Sequence, residues 1–420
     1  MTAPRDILIA TLGSAGDVNP KIAIGRELQA RGHDVSLIAH GYHRRRVESA
    51  GLAFIEVGTS EDYERLMRNP DLWHPRRAFA LLAREGITQM LRPVYDLIAA
   101  RDPARCLVIS SGLVMAGRIA AQKLGVPLVT VHLQPSVIQS VDASPAVAPP
   151  LTDMRWPRAV RRLVWTAINR LAIDPALAPS VNAFRAELGL PPERDFFGAG
   201  FHSSLLTLGL WPDWFAPPQT DWPASIRCTG FLRYDAPGEH AAPEGLEAFL
   251  GAGAPPLVFT PGSAMQLGEG FFRAAVEASQ RLGRRAILLT PHREQLPATL
   301  PDTVAHFDYI PFSEVLPRSA ALVYHGGIGT LAQAAAAGIP QLVMPMAHDQ
   351  PDNARRIKAL GLGDWIAPAR FTGARVAQRL GAVLADAALA RRCAELAPRI
   401  DFETGLQRAC DAIEDAANRV

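Results

Sequence analysis

Short apolar runs that alternate with helix-patterned segments, twice over, set the tightest limit on what this chain can fold into. In the first half the runs are DILIATLG (6–13), DVSLIAH (34–40), LAFIEVG (52–58), CLVISS (106–111) and PLVTVHL (127–133), with patterns such as PKIAIGRELQARG and GLVMAGRIAAQKLG between them. The runs are apolar almost throughout rather than at every second residue, as in strands buried on both faces. Strand–helix alternation of this kind predicts a parallel sheet covered on both sides. Residues 140–200 break the rhythm, being Pro-rich and then helical, and read as an insertion beside the sheet. SSLLTLGL (203–210) resumes strand character.

A Pro- and Gly-rich stretch, YDAPGEHAAPEG (234–245), reads as a linker. Beyond it PPLVFTPGS, RRAILLT, TVAHFDYIP, AALVYHGG and QLVMPMAHD restart the alternation, and FETGLQRACDAIEDAANRV reads as a terminal helix. The expected fold is α/β: two doubly wound Rossmann-like domains, 1–235 and 236–400, facing a central cleft. A helix over 401–420 would pack back on the first domain. At 420 residues two domains are also the default on length.

Bulk properties exclude several classes. The formal net charge of +2 gives no global case for nucleic-acid binding. Cys106, Cys228, Cys393 and Cys410 are scattered without zinc-ligand spacing, which argues against a metal site or a disulfide framework and fits a reducing compartment. No uncharged apolar stretch approaches the roughly 18 residues needed to span a bilayer, and the apolar part of MTAPRDILIATLGSAGD is too short for a secretory signal. A cytoplasmic protein is expected, with any membrane contact peripheral at the inner face.

The chemistry concentrates in HGGIGTLAQAAAAGIP (325–340). A buried strand closed by Gly-Gly-x-Gly and followed by a helix lets backbone N–H groups approach an anion closely, and the helix N-terminus adds partial positive charge. The same glycines could serve only a tight strand–helix turn. MAHDQPDN, after the next strand, places His348, Asp349 and Gln350 at a neighbouring strand end, suited to sugar hydroxyls.

The run 321–357, with His-Gly-Gly-x-Gly-Thr, then Ala-Gly-x-Pro, then Asp-Gln, resembles the donor-binding signature of the GT-B glycosyltransferases of the UDP-glycosyltransferase superfamily. GSAGDVNP and FTPGS resemble two further loops of that superfamily, so the likeness spans nearly the whole chain. NPDLWHP (69–75), PVYDLI (93–98) and DWFAPPQTDWP (213–223) look more narrowly like the rhamnosyltransferases of rhamnolipid synthesis.

The resemblance implies a nucleotide-sugar donor, dTDP- or UDP-linked, as co-substrate, with no cofactor. The chain has no Asp-x-Asp to hold a metal ion, so the leaving diphosphate would be met by His325, Gly326, Gly327, Gly329 and Thr330, with Ser263 on a facing loop. Tyr309 and Ile310 fall where the family binds the nucleobase, and His348, Asp349 and Gln350 where it holds the sugar. Gln333 stands where many relatives carry a ribose-binding Glu; a neutral amide suits a deoxyribose better.

On the acceptor side Asp17 stands in the place of the family's general base, with His132 and Trp73 as further candidates. Asp17 could instead cap a helix starting near Pro20. Base and leaving group on opposite sides of the sugar imply inversion. The best specific expectation is transfer of L-rhamnose from dTDP-L-rhamnose to a 3-(3-hydroxyalkanoyloxy)alkanoate lipid, with a partner protein as candidate supplier of that lipid. The alternative is glycosylation of a phenolic, sterol-like or polyketide aglycone. A sugar-nucleotide epimerase would share the fold but lack the paired HGGIGT and HDQ motifs.

Residues 155–173 carry Val160, Leu163, Val164, Ala167, Ile168 and Leu171 at helical spacing opposite Arg161, Arg162 and Arg170, with no acidic residue. The segment reads as a helix covering the first domain through that apolar stripe, or as one touching an anionic membrane surface.

Overall fold

The computed structural model describes residues 4–74, 76–147, 154–235, 243–262, 265 and 267–419. The chain divides into two compact units, one formed by residues up to Tyr234 together with Phe402–Val420, the other by Asp235–Asp401.

Unit 1 is built on a seven-stranded parallel sheet in the order β3-β2-β1-β4-β5-β6-β7. Its strands are β1 (Asp6–Ala10), β2 (Asp34–Ala39), β3 (Ala53–Glu56), β4 (Cys106–Ser110), β5 (Leu128–His132), β6 (Leu206–Gly209) and β7 (Ile226–Cys228). β1 and β4 pair in the middle, Ile7 beside Leu107 and Ile9 beside Ile109, all four side chains buried. Helix α1 (Ala15–Ala30) follows β1. It starts earlier than the sequence suggested, because Ser14 caps it and Pro20 is accommodated inside.

In the inserted region, α2 (Arg158–Ile168) runs through one π-helical turn, Asn169–Ile173, into α3 (Asp174–Glu187). Here the expected inward stripe is corrected in part: Val160, Val164, Ala167 and Ile168 are half-buried, Ile168 against the core, but the two leucines are not. The buried positions are Trp165, Asn169, Ile173 and Leu177, whereas Leu163 and Leu171 are 68% and 80% exposed. Trp165 is drawn in by a polar handle as well as by its area, since Nε1 donates to Ser140 O (3.2 Å) and Ser144 Oγ (3.0 Å). Asn169 is satisfied by a reciprocal amide pair with Gln139.

Unit 2 carries a six-stranded parallel sheet in the order β10-β9-β8-β11-β12-β13. Its strands are β8 (Leu257–Thr260), β9 (Ala286–Leu289), β10 (Val304–Phe307), β11 (Ala321–Tyr324), β12 (Gln341–Val343) and β13 (Gly363–Trp365). α4 (Ile328–Ala336) follows β11 and α5 (Gln350–Ala359) follows β12.

The chain then returns to unit 1 with α6 (Phe402–Ala417), which packs on α1. Its backbone comes so close at Gly405 that an added Cβ would sit 2.7 Å from Phe231 O. Arg31 reaches Asp411 and Glu414 at 2.7 Å each, besides Glu27 of its own helix. His33 completes the fastening, its Nε2 3.1 Å from Glu414 and its Nδ1 accepting from Arg5 N. A network of partly buried charges around one guanidinium holds better than isolated surface pairs.

Candidate active site

In an open parallel sheet, ligands sit beyond the carboxyl ends of the strands where the strand order reverses. In unit 2 that point lies between β8 and β11, with Thr260 in register with Tyr324. The loops leaving these strands begin Pro261-Gly262 and His325-Gly326-Gly327.

These glycines are dictated by the ring of His325. A Cβ on Gly262 would fall 2.7 Å from His325 Cε1, and one on Gly327 would fall 2.6 Å from Nε2. Gly326 has φ +103° and leaves only 2.8 Å to Val343 Cγ1, so it too admits no side chain. The imidazole is thus clasped between two loop backbones. Although part of its surface is reached by solvent, the enclosure pushes its pKa down to about 4, so it is neutral at physiological pH. His325 Nδ1 is buried and has no hydrogen-bond partner among the described residues.

α4 opens from Gly327 without a side-chain cap and without an acidic residue in its first turn. No atom lies within 4 Å of a Cβ built on Gly329, which faces open space, and Thr330 is half-buried one residue on. The helix N-terminus therefore keeps its partial positive charge uncompensated by the chain itself. Ser263, the expected donor from the β8 loop, lies outside the described residues.

The β12 loop is fastened to this one. Asn353, fully buried on α5, donates from Nδ2 both to Gly326 O (2.8 Å) and to Asp349 Oδ2 (2.6 Å). His348 adopts φ +59°, a left-handed conformation uncommon for a side chain other than glycine. Gln350 is buried and its Oε1 accepts from Met346 N (2.8 Å) and Ala347 N (3.3 Å). Its carbonyl is therefore committed to shaping the loop. Gln333, in the second turn of α4, has a buried Oε1 without a partner among the described residues. Beyond β10, Ile310 is buried and Tyr309 half-buried, the Tyr309 hydroxyl 3.5 Å from Asp235 O.

In unit 1 the order reverses between β1 and β4. Asp17 is the third residue of α1 and closes a capping box: Oδ2 accepts from Ser14 N (2.8 Å) and Ser14 Oγ (3.1 Å). Gly13, at φ +124°, is obligatory, because a Cβ there would lie 2.3 Å from Asp17 Oδ2. Capping and proton acceptance are not exclusive. One carboxylate oxygen orients the group, and the other makes no hydrogen bond among the described residues.

Four neighbours of Asp17 escaped the sequence reading. Lys21 is 1% exposed, and its Nζ donates to Asp17 O at 2.9 Å. Burial lowers its pKa to about 8, against the opposing pull of the Asp17 carboxylate. His43 donates from Nε2 to Gly13 O (3.1 Å), and burial holds it down at about 4. Tyr63 is held well above the ordinary phenol range by burial, with Tyr42 and Asp17 adding to it. Tyr63 also stacks on the half-exposed Tyr42, ring centroids 4.4 Å apart.

His132 ends β5 in a buried hydrogen bond to His202 Nδ1 (2.9 Å) and stacks on Phe201. Burial, then His202 and Lys21, keep it well below the ordinary imidazole range, so it is neutral. Trp73 lies apart in sequence, in the 3-10 turn Pro70–Trp73. A period-based reading could not find Lys21, which sits among apolar neighbours on α1. Asn353 did leave a signal, standing four residues after Asp349 on one helix face.

Among the described residues no group of three or more His, Cys, Asp or Glu is placed to hold a metal ion. No described helix is long and apolar enough to cross a membrane. All four cysteines are free thiols.

Comparison with known proteins agrees with this arrangement. Residues 7–142 match the glycosyltransferase family 28 N-terminal domain, and residues 281–401 the erythromycin biosynthesis protein CIII-like C-terminal domain. The chain is 32% identical to O-mycaminosyltylonolide 6-deoxyallosyltransferase of Streptomyces fradiae, over 98% of this chain and 97% of that protein. Its fold is similar to that of the glycotransferase of kitacinnamycin, with a TM-score of 0.74 at 22% identity, over 99% of this chain and 100% of the other. It is also similar to the spinosyn rhamnosyltransferase SpnG complexed with thymidine diphosphate, with a TM-score of 0.66 at 20% identity, over 96% and 99%. Two Rossmann-like parallel-sheet units, the histidine–glycine loop and full-length identity to a sugar transferase lead to one conclusion: this chain belongs to the GT-B glycosyltransferases that join a family 28 N-terminal domain to an erythromycin biosynthesis protein CIII-like C-terminal domain.

Proposed function

We propose that this glycosyltransferase moves a 6-deoxyhexose, L-rhamnose first among them, from a dTDP-sugar to a hydroxyl of an apolar acceptor, with inversion and without a metal ion. The observation that carries this reading is the uncapped N-terminus of α4 beside the neutral, clasped His325. Amide groups of Gly327, Gly329 and Thr330 would receive the diphosphate as the C1–O bond breaks and its electrons pass to the leaving oxygen. The free oxygen of Asp17 would take the acceptor proton while the acceptor oxygen bonds to C1 from the opposite side. Asp349, held by Asn353, is the sugar-hydroxyl acceptor of the β12 loop.

Two observations support a deoxysugar on a thymidine nucleotide. The aligned relative of 32% identity is named for transfer of a 6-deoxyallosyl group. Gln333 also offers a neutral amide where a carboxylate would favour a ribose 2′-hydroxyl. The same relative favours a polyketide-type aglycone as acceptor. A hydroxyalkanoyl lipid is the second reading, favoured by the outward-facing leucines of the α2 region. The decisive experiment titrates dTDP, UDP and GDP, then assays dTDP-L-rhamnose with a macrolide aglycone and with a 3-(3-hydroxyalkanoyloxy)alkanoate in excess EDTA. Preference for dTDP and transfer to either acceptor supports the reading. Preference for GDP, or a strict metal requirement, refutes it.

A further inference from the structure

The outer face of residues 154–173 enters the transfer reading only as a hint of a lipid acceptor, and that reading gives it no contact with donor or base. Exposed large apolar side chains are few among the described residues, yet Met154, Trp156, Leu163 and Leu171 all fall in this one stretch. The inward positions are filled by Trp165, Asn169 and Ile173, so Leu163 and Leu171 cannot turn in without displacing them. Residues 154–173 also hold five arginines, Arg155, Arg158, Arg161, Arg162 and Arg170, and no Asp or Glu. Arg158 is engaged by Asp142 at 3.0 Å. Arg162 and Arg170, each directly before an exposed leucine, form no salt bridge among the described residues.

We propose that this face docks on an anionic lipid surface, with Leu163 and Leu171 entering the acyl boundary and Arg162 and Arg170 meeting lipid phosphates. Charge complementarity selects the partner: an uncompensated cationic face wants an anionic one. Chemistry selects lipid over an acidic protein. The leucine tips stand apart along the helix, each beside a long guanidinium stem, and a fluid surface receives separate protrusions without shape fit. Trp156, 49% exposed, is the residue type favoured at headgroup level.

This inference stands apart from the transfer reading, since vesicle binding needs neither donor nor acceptor. The test is co-sedimentation of the full chain with phosphatidylcholine vesicles, with and without phosphatidylglycerol. Binding is expected only with the anionic lipid, and should weaken as salt rises. Arg162→Gln with Arg170→Gln should lower the partition about tenfold or more. Leu163→Ser with Leu171→Ser should do at least as much. Both pairs should leave the melting temperature and dTDP affinity unchanged, because the four side chains are exposed. Equal binding to neutral vesicles, or partition indifferent to both pairs, would overturn the proposal. So would self-association abolished by the leucine pair in a chain that ignores vesicles, which would make a second copy the partner.

Discussion

Replacing Lys21 by Met should change how stability depends on pH, by an amount the structure sets. The ammonium is 1% exposed, and its one hydrogen bond goes to Asp17 O. Its pKa falls from 10.5 to about 8, so the folded chain binds this proton more weakly than the unfolded chain does. The resulting penalty is fully present below about pH 8, shrinks as pH rises, and is gone above the unfolded pKa of 10.5. At 1.36 kcal/mol per unit the penalty is about 3 kcal/mol. Wild type should therefore gain about 3 kcal/mol relative to Lys21→Met between about pH 7 and about pH 11. Other alkaline titrations, the buried tyrosines and thiols included, cancel in the difference. Urea unfolding of both proteins across that range measures it. Parallel stability curves would refute the argument, since they would mean that Lys21 reaches water or is never charged in the fold. A charge kept at such cost beneath Asp17 and His132 is better explained by its field on the proposed base than by stability.

Asp17→Asn should lower kcat by roughly 10²–10⁴ while dTDP affinity, measured by calorimetry, stays near wild type. Gly262→Ala combines positive φ with a Cβ 2.7 Å from His325, so it should cost about 1–3 kcal/mol in thermal stability and weaken dTDP binding. Transfer should persist in excess EDTA, and recovery only on adding Mg²⁺ would contradict the helix-terminus account. Arg31→Ala removes the cation shared by Glu27, Asp411 and Glu414, and should destabilise unit 1 by about 1–2 kcal/mol in urea melts.

The sheets were largely legible in the sequence because buried parallel strands read as apolar runs, and eleven of the thirteen lie inside quoted runs. β7 and β13 did not, being three-residue edge strands with little apolar content to mark them. The histidine–glycine loop was legible because the glycines that clasp His325 are forced by close approach. Lys21 and His43 were not, since their meaning comes from burial against Asp17 and Gly13, which no spacing encodes. The face of α2 was misread for a specific reason. Apolar residues occupy several helical phases there, the π-helical turn at Asn169–Ile173 shifts the register, and a hydrogen-bonded Asn169 takes an inward place that hydrophobicity alone would deny it.

The return of α6 to the first unit carries a consequence for synthesis. During translation α1 emerges early, but the helix that covers it, with Cys410 against Ile24, is made only after all of Asp235–Asp401. The nascent first unit must wait with that flank bare until the whole of the second has been synthesised. A premature stop just past residue 401 would thus spare the later-made unit and injure the earlier one. Transplanting 402–420 in front of residue 4 through a short linker would let the first unit close as soon as it leaves the ribosome.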